Sequence, residues 1–337
     1  MSFTICCEAV LRALPNIVLT QRSFADAMNI VVAHRARQTM NSQPNNSTMT
    51  SSLKTITCSL AATAALLAVA AVASPIPDDC KMSGFAVGCQ AYTFNKFSAF
   101  EAVEKTAQAG GKIIEFYPGQ KLSLEHPDLT LHHNASPETI AAIKAHLAKH
   151  GVRAVNYGVV GAKDDAEWRQ IFEFAKKLDL YAITIEDVPH LDAIEKLVKE
   201  FDIRVAYHEH ARQPNNPNYK LWDPNYVLSI VKDRDPRIGA CADTGHWATS
   251  GLKPLECIKI LKGRVISAHL KDRAEIGRQM PDSILGTGVS DISGILKELK
   301  RQKFQGNISI EYEANWDNSV PDVAQCVGFI RGWGARK

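Results

Sequence analysis

From Phe85 to the C-terminus, short apolar runs alternate with amphipathic segments eight times over. The runs predict strands over 85–93, 112–117, 152–158, 182–186, 203–208, 238–243, 265–270 and 307–312. Apolar spacing of helical period predicts helices over 98–109, 137–150, 164–178, 191–201, 224–232, 254–261, 292–302 and 320–333. Ser136 ahead of Pro137 is a strong start signal for the second of these. Parallel neighbours need a crossover, and a helix between successive strands supplies one, so the alternation dictates a parallel α/β sheet. Eight such units in about 250 residues is the size of a (β/α)8 TIM barrel. The rival, a doubly wound open sheet, usually carries a glycine-rich turn after its first strand, and the turn here is Phe94-Asn-Lys-Phe97.

The segment before the barrel is of a different kind. Residues 1–48 show no period and carry an Asn/Gln/Ser-rich stretch, which suits a disordered or over-extended N-terminus. Met49-Thr-Ser-Ser-Leu-Lys54, an apolar run over 59–73 and a closing Ala71-Val-Ala73 form the pattern of a signal peptide over 49–73, with a linker over 74–84. The apolar run is short for a bilayer span. A single-domain barrel over 85–337, secreted or periplasmic and without stable membrane insertion after cleavage, is therefore expected. A homo-oligomer is compatible with the chain. Cys80, Cys89, Cys241, Cys257 and Cys326 follow the leader with wide spacing and form neither a disulfide framework nor a zinc pattern; export would leave room for one oxidised pair. Cys241 reads as a small buried apolar residue. The net charge of +3 gives no basic surface of the kind nucleic acid needs.

Barrel chemistry sits at the C-terminal ends of the strands. In chain order these ends carry Gln90 and Tyr92, Glu115, Asn156, Glu186, His208 and His210, Asp243 and His246, His269 with Lys271 and Asp272, and Glu311 with Glu313. Asp243, His269 and Glu311 close the last three strands and make a mixed carboxylate and imidazole set suited to one divalent ion. The ion is expected to be Mn²⁺, with Mg²⁺, Co²⁺ or Zn²⁺ as alternatives. A further ligand comes from Glu186, from His208, or from both: Glu186 would favour Mn²⁺ or Mg²⁺, His208 would shift the site toward Zn²⁺, Co²⁺ or Mn²⁺. Side-chain alternation then points Glu209 outward.

Such an ion polarises a carbonyl, and carboxylates beside it can remove and return the proton on the adjacent carbon. Glu186 and Glu311 are the expected pair, with Lys271 holding a sugar oxygen or an enediolate. Tyr92, Glu115, His210 and His246 are expected to bind substrate. Gly286-Thr-Gly288 with Asp291 lacks phosphate-loop spacing and reads as a loop closing over the barrel mouth.

Asp243-Thr-Gly-His246, His269-Leu-Lys-Asp272, Gly286-x-Gly288 and Ile308-Ser-Ile-Glu311 together resemble the xylose isomerase-like TIM-barrel superfamily, within it the sugar phosphate isomerase/epimerase group. Tyr207-His-Glu-His210 resembles its inosose dehydratase-type members. The resemblance spans residues 85–335. It implies one divalent ion, often Mn²⁺, held by Asp243, His269 and Glu311. Many members carry Glu at the place of His208, so the fourth ligand and a two-glutamate epimerase mechanism do not transfer directly. The expected activity is a metal-dependent sugar isomerase or epimerase acting by proton abstraction next to a carbonyl. A lyase or dehydratase that eliminates from a 3-keto-glycoside or inosose is the alternative, and a non-catalytic sugar-binding protein the second.

Overall fold

The computed structural model describes residues 75–335. The leader over 49–73 and the segment before it lie outside the described residues. Eight parallel strands close into a barrel: β1 Phe85–Gln90, β2 Ile113–Phe116, β3 Arg153–Val160, β4 Ala182–Ile185, β5 Arg204–Tyr207, β6 Ile238–Asp243, β7 Val265–Leu270 and β8 Asn307–Ile310. Each pairs with its sequence neighbour, and β8 pairs with β1 to seal the ring. The two-residue strand Lys81–Met82 runs antiparallel to β1 at its N-terminal end.

Nine α-helices are described: α1 Ala99–Gln108, α2 Pro137–His150, α3 Asp165–Lys177, α4 Leu191–Phe201, α5 Pro224–Val231, α6 Thr244–Thr249, α7 Pro254–Ile260, α8 Ile292–Arg301 and α9 Val320–Trp333. Local sequence explains their starts. Ser98 and Glu101 form a reciprocal capping box on α1. Ser136 caps α2 ahead of Pro137, and Gly151 ends it in the left-handed region at φ 64°. Asp164, Asp223 and Asp291 cap α3, α5 and α8 with their carboxylates. Apolar helix faces then pack on the outside of the barrel around Trp168, Ile171, Ile194, Ile295 and Val327, all buried. A smaller cluster with Ile76, Ile113, Val155, Ala206 and Cys241 is also sealed from solvent. The cysteines from Cys80 to Cys326 are free thiols, and Cys241 is fully buried as expected of a small apolar residue.

Two strands, β1 and β8, end two or more residues earlier than the pattern predicts. β1 stops at Gln90, whose side chain accepts the Tyr92 N–H and turns Ala91–Phe94 into a 3-10 turn. Tyr92 is thereby carried to the rim, 42% exposed, instead of pointing along the strand. β8 stops at Ile310, so Glu311 and Glu313 lie just past the strand. In the stretch Asp243-Thr-Gly-His246, Asp243 is the N-cap and Thr244–His246 begin α6. No helix among the described residues is long and apolar enough to cross a membrane.

Candidate metal centre at the barrel mouth

Register brings the central side chains together. His269 on β7 is paired with Asp243 on β6, so both project to the same side at the same height. Asp243 Oδ1 accepts the His246 N–H at 2.8 Å and caps α6. Its Oδ2 is left free, 3.6 Å from His208 Nε2, 3.7 Å from His269 Nδ1 and 3.3 Å from Lys271 Nζ. Cap and ligand are thus compatible duties for one carboxylate. Glu311 Oε2 lies 3.2 Å from His269 Nδ1 and 2.7 Å from Lys271 Nζ. His208, Asp243, His269 and Glu311 offer donor atoms that all lie within 4.8 Å of one another.

His208 Nε2, Asp243 Oδ2 and His269 Nδ1 are buried yet make no hydrogen bond. Leaving buried polar atoms unpaired is costly. Three orphans converging with a carboxylate fit a divalent ion, and two imidazoles with two carboxylates suit Mn²⁺, Co²⁺ or Zn²⁺.

The charges around these atoms are tightly balanced. Burial works against ionising Asp243 and Glu311, but Lys271 and the charged His208 and His269 rings around them outweigh it and hold both well below the usual carboxylate range. Burial likewise opposes charge on His208, but the carboxylates of Asp243 and Glu186 beside it lift it to about 9. His269 is lifted too, against its burial, by Glu115 and Glu311 among others. Protons on these imidazoles therefore balance the carboxylates in the ion-free protein, and a metal would take their place. His246 is pushed down to about 3 by burial, so it is neutral.

The residues behind the ligands depart from expectation. Glu186 does not join the four donors. Its Oε1 lies 2.8 Å from His208 Nδ1 and 2.7 Å from His210 Nδ1, so it fixes the orientation of both rings. It is held ionised, down at about 2: burial opposes this, and the two histidines override it. Glu115, expected to bind substrate, is fully buried beneath His269. It accepts from Thr184 Oγ1 at 2.9 Å and Ser309 Oγ at 2.8 Å, and stands 3.1 Å from His269 Nε2. Without exposed surface it cannot reach a sugar; it holds the imidazole instead. Glu209 does not point to solvent. It is 1% exposed and accepts the Asp243 N–H at 2.9 Å, and burial raises its carboxyl well above the usual range.

Above the ligands is a cavity of about 410 Å³ lined by Tyr92, Tyr117, His210, His246, Glu311 and Glu313 among others. Tyr92 meets Tyr117 and Trp316 edge-on, at 5.4 and 6.0 Å, and forms an aromatic wall. Glu313 ion-pairs with Lys271 at 2.7 Å. Glu313 belongs to the strand-end set read from the sequence and Tyr117 closes the strand predicted over 112–117; Trp316 lies in the loop after β8, where no strand pattern marks it. Asp272 takes no part in the cavity; its carboxylate receives the N–H groups of Gly286, Gly288 and Ser290 and pins the glycine loop beside the barrel end. A Cβ on Gly288 would fall 2.3 Å from the Arg273 carbonyl oxygen, so only glycine fits that approach.

A closed eightfold barrel with a His/Asp/Glu cluster at its strand ends defines a class of barrel built for small-molecule chemistry at one mouth. A family profile described as xylose isomerase-like TIM barrel matches residues 103–331, and the chain belongs to that family. Among solved structures, an uncharacterized protein from Parabacteroides distasonis ATCC 8503 is 32% identical, with a TM-score of 0.61 over 74% of this chain and 99% of that one. D-allulose 3-epimerase from Methylomonas sp. shares the fold at 15% identity, with a TM-score of 0.57 over 73% of this chain and 97% of that one. Among curated proteins, 3-oxo-isoapionate decarboxylase of Pectobacterium atrosepticum is 27% identical over 106 residues. That match spans 29% of this chain and 38% of the decarboxylase.

Proposed function

We propose that the protein is a divalent-metal-dependent sugar isomerase or epimerase that moves a proton on the carbon next to a carbonyl. The observation that carries the reading is the convergence of three unpaired buried donors, His208 Nε2, Asp243 Oδ2 and His269 Nδ1, with the Glu311 carboxylate at the floor of the cavity. An ion held there supplies a Lewis acid that polarises the carbonyl.

The chain's own residues divide the remaining work. Glu311 reaches the cavity floor as a carboxylate and is one base. The second proton carrier is His210 rather than Glu186. Its Nδ1 is held by Glu186 at 2.7 Å, which leaves Nε2 for a substrate proton. A histidine ring oriented by a carboxylate can carry a proton as a general acid or base. Lys271, charged and fully buried, steadies negative charge gathering near Glu311. Neutral His246 can donate to or accept from a hydroxyl. Tyr92 and Tyr117 in the cavity lining, with Trp316 edge-on against Tyr92, suit the apolar face of a sugar ring. Carboxylates in the cavity lining disfavour a phosphorylated sugar, so a free or oxidised sugar is the proposed substrate.

A second reading is elimination or decarboxylation from a 3-keto sugar. It is favoured by the partial match to the Pectobacterium decarboxylase, and it builds charge on the same carbonyl oxygen. Incubating the Mn²⁺-loaded protein with ketoses and 3-keto sugars in D₂O separates the two. Isomerisation puts deuterium into a sugar of otherwise unchanged composition; elimination releases an aglycone or water, and decarboxylation releases CO₂. No turnover of any of these, with binding retained, would leave a sugar-binding protein.

A further inference from the structure

A second group of metal-type donors lies on the outer wall, unconnected to the mouth. α1 and α2 pack against each other, and Glu104 on α1 faces His146 and His150 on α2. The two histidines are four residues apart and so share one helix face. Glu104 Oε1 is 3.2 Å from His146 Nε2 and 3.8 Å from His150 Nε2. The side chain of His146 is only 10% exposed. Its ring stacks on Phe100 at 4.0 Å and 10°, which fixes its orientation. His150 Nε2 is buried and has no hydrogen-bond partner. His146 Nε2 also lies 3.2 Å from the Phe100 carbonyl oxygen. To bind an ion through Nε2, His146 would carry its proton on Nδ1 and give up that contact.

We propose that Glu104, His146 and His150 form a second divalent-metal site, of the zinc class, that clips α1 to α2. Two imidazoles and one carboxylate fill three positions of a tetrahedral ion, and the partly exposed Glu104 side leaves the fourth to water. The site is independent of the chemistry at the mouth.

The test is a Zn²⁺ titration of the full chain by calorimetry in matched variants. In an Asp243→Asn/His269→Gln background, which removes the mouth site, adding Glu104→Gln/His150→Gln is expected to abolish one equivalent of bound Zn²⁺. The same background should gain thermal stability with Zn²⁺, and the four-fold variant should lose that gain. If the background does not fold, wild type and Glu104→Gln/His150→Gln are compared, with one equivalent fewer expected in the latter. Equal stoichiometry and equal Zn²⁺-induced stabilisation in the matched pair would overturn the proposal. Because the readout is binding, it is unaffected if the sugar reaction fails.

Discussion

Replacing Glu115 by Gln is the sharpest probe of how the candidate metal centre is supported. The substitution keeps the volume, so it opens no cavity. The carboxylate now accepts from Thr184 Oγ1, Ser309 Oγ and Asn307 Nδ2, at 2.9, 2.8 and 3.3 Å, and faces His269 Nε2 at 3.1 Å. A carboxamide brings one oxygen and one NH₂. If the NH₂ turns toward Thr184 it confronts the His269 ring; if it turns the other way it confronts the Asn307 amide. The hydroxyls can rotate to accept, but one donor is left facing another. An unpaired buried donor costs about 1–3 kcal/mol. For a domain of this size that lowers Tm by roughly 2–12 °C. Loss of the carboxylate behind a ligand histidine weakens metal affinity by about 10–100-fold. Thermal unfolding of the ion-free protein and Mn²⁺ titration read the two effects separately. A folded Glu115→Gln variant with unchanged Mn²⁺ affinity would refute the idea that Glu115 orients His269.

Further outcomes follow from other contacts. Lys271→Met strips the ammonium from Asp243, Glu311 and Glu313 and should destabilise the ion-free protein by about 3–5 kcal/mol in denaturant unfolding, a loss that shrinks when saturating Mn²⁺ takes over the carboxylates. Equal losses with and without Mn²⁺ would contradict a shared site. Arg237 beside Asp235 holds that carboxyl down at about 2, below its ordinary 3.8. A depressed folded value means that this stabilisation is complete above the ordinary value and disappears as pH falls through about 2. Asp235→Asn should therefore flatten the acid limb of stability between those values and leave the limb above pH 5 unchanged in slope. Tyr92→Ala removes the centre of the aromatic wall and should raise KM about 3–10-fold with little change in kcat, the worth of one ring contact.

Much of the barrel and the positions of its strand ends were legible in the sequence because both rest on periodicity. Asp243, His269 and Glu311 could be placed at one mouth from strand ends alone. Depth and partner choice are another matter. Glu115 and Glu311 both stand at strand ends, yet one is sealed beneath His269 and the other opens on the cavity; only the closure of the ring sets that depth. Alternation fails for Glu209 because β5 ends at Tyr207, and past that point no pleat dictates direction. Glu186 reads as a ligand until His208 and His210 are seen to meet its carboxylate, a contact made between neighbouring strand ends. A loop hides Trp316, since its place against Tyr92 depends on a turn without a period.

Proton transfer beside a carbonyl at the proposed metal centre is read out by solvent isotope exchange with the Mn²⁺-loaded protein and a panel of ketoses in D₂O. Deuterium is expected on the carbon adjacent to the carbonyl, lost on chelation and in Glu311→Gln while the variant stays folded. Exchange that persists at the wild-type rate in Glu311→Gln or after the metal is removed would contradict the proposal.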